Sequence, residues 1–482
     1  MAKNIASRES NFSQWYLDVI KAAQLADYAP VRGCMVVRPN GYGIWENIQS
    51  AFDRAFKETG HVNAYFPLLI PNSFMEREAQ HVEGFAPECA VVTHAGGEEL
   101  EEPYVIRPTS ETVIGHMYSQ WVQSWRDLPI LINQWCSVVR WEKRPRLFLR
   151  TSEFLWQEGH TAHATREEAI AETFRMLDVY QRIMNDHLAL PVLYGEKSEN
   201  ERFPGADNTY SCEAMMGDRK ALQAGTSHFL GQNFARAFDI SFQNRNGETE
   251  FAWTTSWGVS TRLIGAIIMT HSDDDGLVLP PRIAPVKAAV IPISKDEDRI
   301  RDALEPAADG IARGLNETLG GVCAQVDRQY HMRPADRFFT HLQRGVPIRI
   351  ELGEREHEER AVTVVRRDTA ERDRVPLGSL NDHVRALLAD IQRNLYDRAK
   401  AFRDDNTREV SSRTELKEFF AKDSRGGFAK ACFAGSSDDE RDIKDITGGA
   451  TIRCMPLDDE TRGKCICTGA PDARRAIFAK AY

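Results

Sequence analysis

The chain has no uninterrupted apolar run approaching the ~18–20 residues that cross a bilayer, so no membrane partner is expected. Met1-Ala-Lys-Asn-Ile carries no apolar core segment, and no secretory signal is expected from it. Cysteine is sparse and scattered: there are nine, and only Cys465 and Cys467 lie close together. That spacing argues against a disulfide scaffold and fits reduced thiols in a cytoplasm. An excess of positive charge is missing too. Lys and Arg total 61 against 71 Asp and Glu, a net charge of −10. A nucleic-acid partner would have to be met by local basic patches, because charge acts only over short range in salt. Internal repeats and low-complexity tracts are absent.

What is present is an enzyme-like mixture, 42% hydrophobic and 27% charged over 482 residues. That length gives room for about two to four domains. A helix is expected from Asn11 to Ala29. Ile44, Ile48, Phe52, Ala55 and Phe56 recur at three- and four-residue steps, the mark of an amphipathic helix ending near Gly60. Ala64 to Ile70 is β-rich and ends at Pro71. Ile130 to about Thr165 reads mainly as strand, interrupted by the charged Glu142–Arg146. Ala169–Leu188 reads as helix, Phe229–Phe242 and Glu250–Trp257 as extended chain, and Leu263, Ile264, Ile267 and Ile268 as one helical face.

After Leu279-Pro280-Pro281 the texture changes. Expected strands at 288–293, 322–326, 347–352 and 361–365 alternate with helices near 297–315, 336–343 and 380–402, which suggests a small α/β domain with a mixed sheet. The residues beyond form a third unit holding four of the nine cysteines.

Arg140 and Glu142 share parity on a strand and would face one side. Lys143 to Arg146 is too polar for a core and reads as a turn. Beyond it, Arg150, Phe154, Trp156, Glu158 and His160 share parity again. An amphipathic sheet and a ligand pocket both remain open here; a pocket accounts for the charges and the aromatics together. Arg262 precedes an apolar helix, where a guanidinium and free N–H groups suit phosphate, although a surface arginine is the simpler reading. Thr109-Ser110-Glu111 fits a helix N-cap, and His228 fits a structural histidine equally well.

Several segments occur in a telling order: Phe66-Pro-Leu-Leu-Ile-Pro71, Arg107-Pro-Thr-Ser-Glu111, Arg140-Trp-Glu142, Phe148-Leu-Arg-Thr151, Glu153-Phe-Leu-Trp-Gln-Glu-Gly-His160, Gly225-Thr-Ser-His228, Leu230-Gly-Gln-Asn-Phe234 and Gly276-Leu-Val-Leu-Pro-Pro281. Together they resemble the class II prolyl-tRNA synthetases, in the form shared by archaea, eukaryotic cytoplasm and some bacteria. The resemblance runs through Phe478-Ala-Lys-Ala-Tyr482. It implies an α+β multidomain fold: a class II antiparallel-sheet catalytic domain flanked by helices over 1–284, an α/β anticodon-binding domain over 285–400, and a small α+β zinc-binding-like domain over 401–482.

The resemblance also implies roles. ATP would be held by Arg140, Glu142, Arg150, Thr151, Gln223, Thr226, Ser260 and Arg262, with Mg²⁺ near Gln223. Arg140 and Arg262 would be the catalytic arginines. Proline would be held by Thr109, Glu111, Arg140, Trp156, His160 and His228. The other partners would be tRNA(Pro) and a second copy of the chain, a homodimer through the motif 1 segment ending at Pro71. Arg333, Arg337, Arg344 and Arg349 would be RNA contacts. The carboxylate of Tyr482 would pack near the catalytic domain.

Two departures stand out. Only residues 161–257 separate His160 from Gly258, too few for the editing insertion typical of the bacterial form. Many relatives bind zinc through a Cys-x4-Cys pair and a later Cys-x-Cys pair. Here Cys465 and Cys467 match the later pair, while Ala434 and Asp439 stand at the earlier one. A metal-free module is the expectation, with Cys432 or Cys454 as possible substitutes. Two alternatives compete: a class II relative for threonine or glycine, and a non-catalytic RNA-binding paralogue. The segments at 107–111 and 226–228 favour proline, and retention of Arg140 and Arg262 argues against the paralogue.

Overall fold

The computed structural model describes residues 4–81 and 89–482. Asn11 caps the first helix by accepting the Gln14 N–H, and helix α1 runs Phe12–Ala22. The expected helix to Ala29 stops early. Gln24 adopts a positive φ of 55°, the Leu25 N–H returns to the Ile20 carbonyl, and Ala26–Tyr28 pairs as a strand with Met35–Val37. Helix α2, Pro39–Glu58, starts on proline, which lacks the N–H a first helical position cannot use. It buries Ile44, Ile48, Phe52, Ala55 and Phe56, as the spacing requires.

The sheet that carries the site is built around two antiparallel strands, Ile130–Val139 and Glu153–His163. Gln134 lies opposite Glu158, and Cys136 opposite Trp156. Strand pairing lapses over a longer stretch than the charged Glu142–Arg146. Pro145 has no ladder donor, and the loop closes on itself through reciprocal backbone bonds between Arg146 and Arg150 at 2.6 and 2.8 Å. Trp253–Ser260, Ala221–Gly231, Asn208–Met215 and Val192–Glu196 extend the sheet in antiparallel order. Of these strands, Asn208–Met215 and Val192–Glu196 were not anticipated, and of Ala221–Gly231 only the stretch from Phe229 was. The extended reading of Phe229–Phe242 fails at its centre: the strand ends at Gly231, and Asn233–Phe238 is a helix closed by Asp239 at φ 59°. At the opposite edge Val62–Asn63 runs parallel to Ile132–Asn133.

One face of this sheet is covered by helix α3, Arg166–Asp186, opened by a capping box between Thr165 and Glu168. Its Tyr180 meets Phe52, Phe56 and Trp257 edge-on. Burying such rings contributes about 2–3 kcal/mol each. Helix α4, Arg262–His271, leaves the end of Trp253–Ser260 after a single residue.

The middle unit has the mixed sheet expected of alternating elements. Ala324–Val326, Ala288–Ile293 and Ile348–Gly353 are parallel, and Ala361–Arg366 and Arg372–Pro376 are antiparallel. Arg372–Pro376 was overlooked because Arg-Asp-Arg-Val-Pro offers one buried side chain, Val375. Arg337 is corrected here. It is buried, donates to the Asp327 carboxylate at 3.0 Å and to the carbonyls of Pro292 and Asp327, and so ties this unit together instead of facing RNA. The long helix Leu380–Asp405 runs unbroken through residue 400.

The last unit joins the catalytic sheet directly. Met455 and Pro456, in the strand Thr451–Pro456, pair with Glu196 and Gly195. Ala473–Ala479, Phe428–Phe433 and Thr407–Glu409 follow, so one 12-stranded sheet spans both units. A Cβ on Gly195 would sit 2.3 Å from the Met455 carbonyl oxygen, so only glycine permits this join. Among the described residues no helix is long and apolar enough to cross a membrane.

Candidate active site

Backbone anchors deliver the site residues. Buried Arg107 donates to the Ser137 carbonyl at 2.8 Å and the Phe66 carbonyl at 2.6 Å, pinning the turn that leads into helix Glu111–Trp121. Ser110 is the N-cap of that helix by position, but its hydroxyl makes no cap bond. It donates to Glu158 at 2.5 Å, while the Thr109 hydroxyl donates to the Glu111 carboxylate. The cap reading of this segment is thus corrected: its hydroxyls serve buried acids.

Glu158 also accepts from Gln134 at 2.8 Å and lies 3.0 Å from His160 Nε2. Burial pushes its acidity toward the neutral form, but the bond and field of His160, with the other donors, outweigh burial and hold the carboxyl below its ordinary range. His160 shows the converse. Burial opposes its charge, yet the Glu158 bond and the charge of Glu111 raise the imidazole above its ordinary value. Arg140 donates to the Pro108 carbonyl at 2.9 Å and lies over the Trp156 and Phe154 rings at 5.1 and 5.8 Å. Arg140 is solvent-exposed at the cavity, yet the protein packed around it lowers its basicity, and Glu111 and Glu158 restore part of it.

These groups open on a cavity of about 250 Å³, whose wall includes Thr109, Glu111, Trp156, Gln223, Thr226 and His228. Atoms of Glu111, Glu158 and His160 lie within 4.8 Å of one another, the one such trio of potential metal ligands among the described residues. His160 already occupies one Glu158 oxygen and hydroxyl and amide donors the other, so the remaining capacity suits an N–H-bearing ammonium better than a bare metal ion. Two acids facing Arg140 and the His160 imidazole offer both signs of charge to a zwitterion. His228 stays apart from this charge. Its Nδ1 lies 3.0 Å from the Thr209 hydroxyl and its ring 4.7 Å from Phe203. Burial, with the fields of His160 and Lys197, lowers it to about 3, so it is a neutral wall.

A second cavity of about 270 Å³ adjoins the first through Gln223, which lines both. Arg144, Arg146, Arg150 and Arg262 line it, with no carboxylate side chain among its wall residues. Arg262, first in its helix, donates to the Leu149 carbonyl at 3.3 Å. Burial, then Arg150 and Arg140, lower it to about 10. Mutually repelling guanidinium groups around an open space are a receptor for a polyanion. Arg146 is held between the rings of Tyr16 and Tyr482 at 5.0 and 5.3 Å.

Three expected residues stand beside these walls and do not line either cavity. The Glu142 carboxylate accepts the Arg144 N–H at 2.8 Å, the Thr151 hydroxyl donates to the Glu153 carbonyl at 2.7 Å, and the Ser260 hydroxyl accepts the Arg262 N–H at 3.2 Å. Gln134 and the loop arginines Arg144 and Arg146 were given no role in the site beforehand, and Ser110 only that of a cap. Gln134 shares parity with Arg140, and that signal could have found it.

In the last unit Cys465 Sγ accepts the Ala434 and Thr468 N–H groups at 3.3 and 3.5 Å. Burial raises the Cys467 thiol to about 11, helped by Cys465 and Asp439. Cys454 is buried in a different cluster with Met215 and Phe428, so it is not available as a substitute ligand. Asp439, where relatives place a thiol, accepts from Ser436 as a helix cap. These residues do not fit a four-ligand zinc centre.

A zwitterion pocket beside a polyanion pocket on an antiparallel sheet agrees with the core of a class II aminoacyl-tRNA synthetase, a class that in general uses ATP and Mg²⁺. The family description "tRNA synthetase class II core domain (G, H, P, S and T)" matches residues 92–271, "Anticodon binding domain" matches 287–387, and "Prolyl-tRNA synthetase, C-terminal" matches 416–482. Proline--tRNA ligases of Chlorobaculum tepidum and Chlorobium limicola are each 54% identical, with all of both chains covered. The chain belongs to the proline--tRNA ligase family. A crystal structure of prolyl-tRNA synthetase from Cryptosporidium parvum, complexed with halofuginone and AMPPNP, superposes with a TM-score of 0.92 at 38% identity over 99% of each chain.

Proposed function

We propose that this proline--tRNA ligase holds proline in the first cavity and the triphosphate of ATP in the second, and that Arg140 and Arg262 bracket the reacting phosphate. The observation that carries this reading is Gln223, which lines both cavities and so sets them side by side. The proline carboxylate faces Arg140, and its secondary ammonium gives its two N–H groups to Glu111 and the Thr109 hydroxyl. Trp156, His160 and His228 shape the ring pocket. A carboxylate oxygen attacks the α-phosphorus, the bond to the β-phosphate breaks and pyrophosphate leaves. The terminal ribose hydroxyl of tRNA(Pro) then attacks the prolyl carbonyl and releases AMP. No protein nucleophile is needed. The arginines bring together two anions that repel and stabilise charge growing on the α-phosphate. Bound Mg²⁺, near Gln223 and Thr226, would neutralise phosphate charge. Arg150 lines the triphosphate pocket, and Glu142, Thr151 and Ser260 support it by fixing the loop and the helix start.

The catalytic, anticodon and C-terminal parts are assigned to 1–284, 285–400 and 401–482, the last joint shifting to the end of the helix at Asp405. Exposed Val62, Tyr65, Leu69 and Trp121 beside the sheet edge at Val62–Asn63 support a homodimer through this face. The cysteines form no disulfide, which suits a cytoplasm. The test is pyrophosphate exchange across proline, threonine, glycine, alanine and cysteine, with tRNA charging alongside. Exchange that is strongest with threonine or glycine would overturn the reading.

A further inference from the structure

Beneath the junction of the two cavities lies a buried ionic cluster that the chemistry above does not use. Glu213 is fully buried. Lys197 Nζ donates to its Oε1 at 2.9 Å, Ser211 Oγ donates to the same oxygen at 2.9 Å, and Arg453 Nε donates to Oε2 at 3.1 Å. Lys197 and Arg453 are buried as well. Arg453 also donates to Thr451 Oγ1 at 3.0 Å and lies 3.7 Å from Glu201, which lines the first cavity.

The cluster's place in the sheet gives it meaning. Glu213 pairs across strands with Gln223, Ser211 with Thr226, and Thr209 with His228. Directly opposed residues share a face, and Gln223, Thr226, His228 and Thr209 all line the first cavity. Glu213 and Ser211 therefore stand on the same functional face, one step behind the residue that lines both cavities. Arg453 comes from the last unit, on the strand that pairs with Glu196 and Gly195. Its charge and that of Glu213 both reach Arg262.

Such a cluster is a poor device for stability alone. Two buried cations on one carboxylate keep part of their desolvation cost, and apolar replacements of like shape are often neutral or stabilising. What it does supply is a rigid support at a register shift, between Cys212 and Glu213, where an antiparallel ladder is locally weakened.

We infer that Arg453 is a positioning residue for the nucleotide half of the site: by locking Glu213 it holds Gln223 and Thr226 in place, and it makes amino-acid activation depend on the docked C-terminal unit. This rests on the assignment of the triphosphate to the second cavity. Proline recognition is affected less, because its charged contacts Glu111, Glu158 and His160, with Trp156, lie on the helix Glu111–Trp121 and the strand Glu153–His163, and of the proline-pocket residues only the neutral His228 stands on the strand that the cluster braces.

The test uses the full-length chain carrying Arg453→Met or Arg453→Lys, with proline-dependent pyrophosphate exchange measured over ATP and proline concentrations, and unfolding by denaturant in parallel. Arg453→Met, which frees Glu213 and with it Gln223 and Thr226, should raise KM for ATP about tenfold and leave KM for proline within about twofold. Arg453→Lys keeps the charge but loses the fork, and should raise KM for ATP by a smaller factor of about three. If Arg453→Met fails to fold, the lysine variant decides alone. An unchanged KM for ATP, or equal rises for both substrates, overturns the inference while leaving the proline reading intact. Wild-type chain without exchange would sink the proline reading first.

Discussion

Arg367 grips Asp273 through both carboxylate oxygens, at 2.8 and 2.7 Å, and its Nε donates to the carbonyls of Leu277 and Leu342. The pair ties the anticodon unit to the segment just beyond helix α4, whose first residue is Arg262. The guanidinium is buried and the carboxylate is nearly half exposed, so the ion pair itself is partly screened. Arg367→Ala removes a donor from four acceptors, of which Asp273 Oδ1 and the Leu342 carbonyl keep backbone donors, and should lower stability by on the order of 1–3 kcal/mol. Chemical denaturation checks this. Charging of tRNA should fall more than pyrophosphate exchange, because exchange needs only one side of the joint.

Arg140→Ala should slow proline activation by several orders of magnitude, since charge stabilisation at the reacting phosphate is the largest catalytic contribution available here. Arg262→Ala should raise KM for ATP and also lower kcat, because it brackets the same phosphate. Wild-type exchange rates in the Arg140 variant would remove that residue from the chemistry.

Glu111→Gln should raise KM for proline by about tenfold or more, the worth of one charge-assisted bond to the ring ammonium. KM for ATP should stay within about twofold. Steady-state exchange kinetics over both substrates separate the two effects.

The histidines predict a pH response with a definite sign. His228 is lowered to about 3, so between that value and its ordinary 6.5 the unfolded chain binds a proton the folded chain refuses. Its contribution to stability is present above pH ~6.5 and declines as pH falls, down to about 3. His160 is raised, so its contribution is complete below ~6.5 and is lost as pH climbs through the folded value. Glu158 is lowered; its contribution is present above its ordinary 4.5 and is lost as pH falls through the folded value. NMR of labelled histidines should find His228 neutral at pH 5 and His160 still protonated above pH 6.5. A protonated His228 at pH 5 would contradict the neutral-wall role.

Hydrolysis of alanyl-tRNA by the pure protein should be close to background. Residues 161–257 are fully used by the helix Arg166–Asp186, the inner strands and the short helix Asn233–Phe238, and hold no separate domain. Rapid deacylation would require a hydrolytic site elsewhere in the chain.

Much of the architecture was readable from periodicity. Helix α2 and the strand Ala288–Ile293 fall where their apolar spacing puts them, because both bury a face or a whole run. The inner strand Asn208–Met215 escaped notice because Ser211 and Glu213 place polar groups on its functional face, and Val192–Glu196 because it is short and ends in Gly195-Glu196. Parity brought Arg140, Trp156, Glu158 and His160 together correctly. It gave Glu142 a role in the pocket because the strand was read through Arg140, whereas pairing ends at Val139 and the chain then turns. Arg337 was misplaced for another reason: its partner Asp327 is remote in the pattern but adjacent in space. The second cavity was hardest to foresee, since it needs the loop at 144–150, the helix start at 262 and the last residue, Tyr482, in one place.

The shared sheet sets an order for biosynthesis. A growing chain completes every strand from Val62 to Ser260 long before Thr451–Pro456 leaves the ribosome. Until then the strand Val192–Glu196 presents bare N–H and carbonyl groups to any passing chain, the kind of edge that invites mispairing. Stop codons or frameshifts in the last thirty or so residues should therefore show up first as insoluble protein.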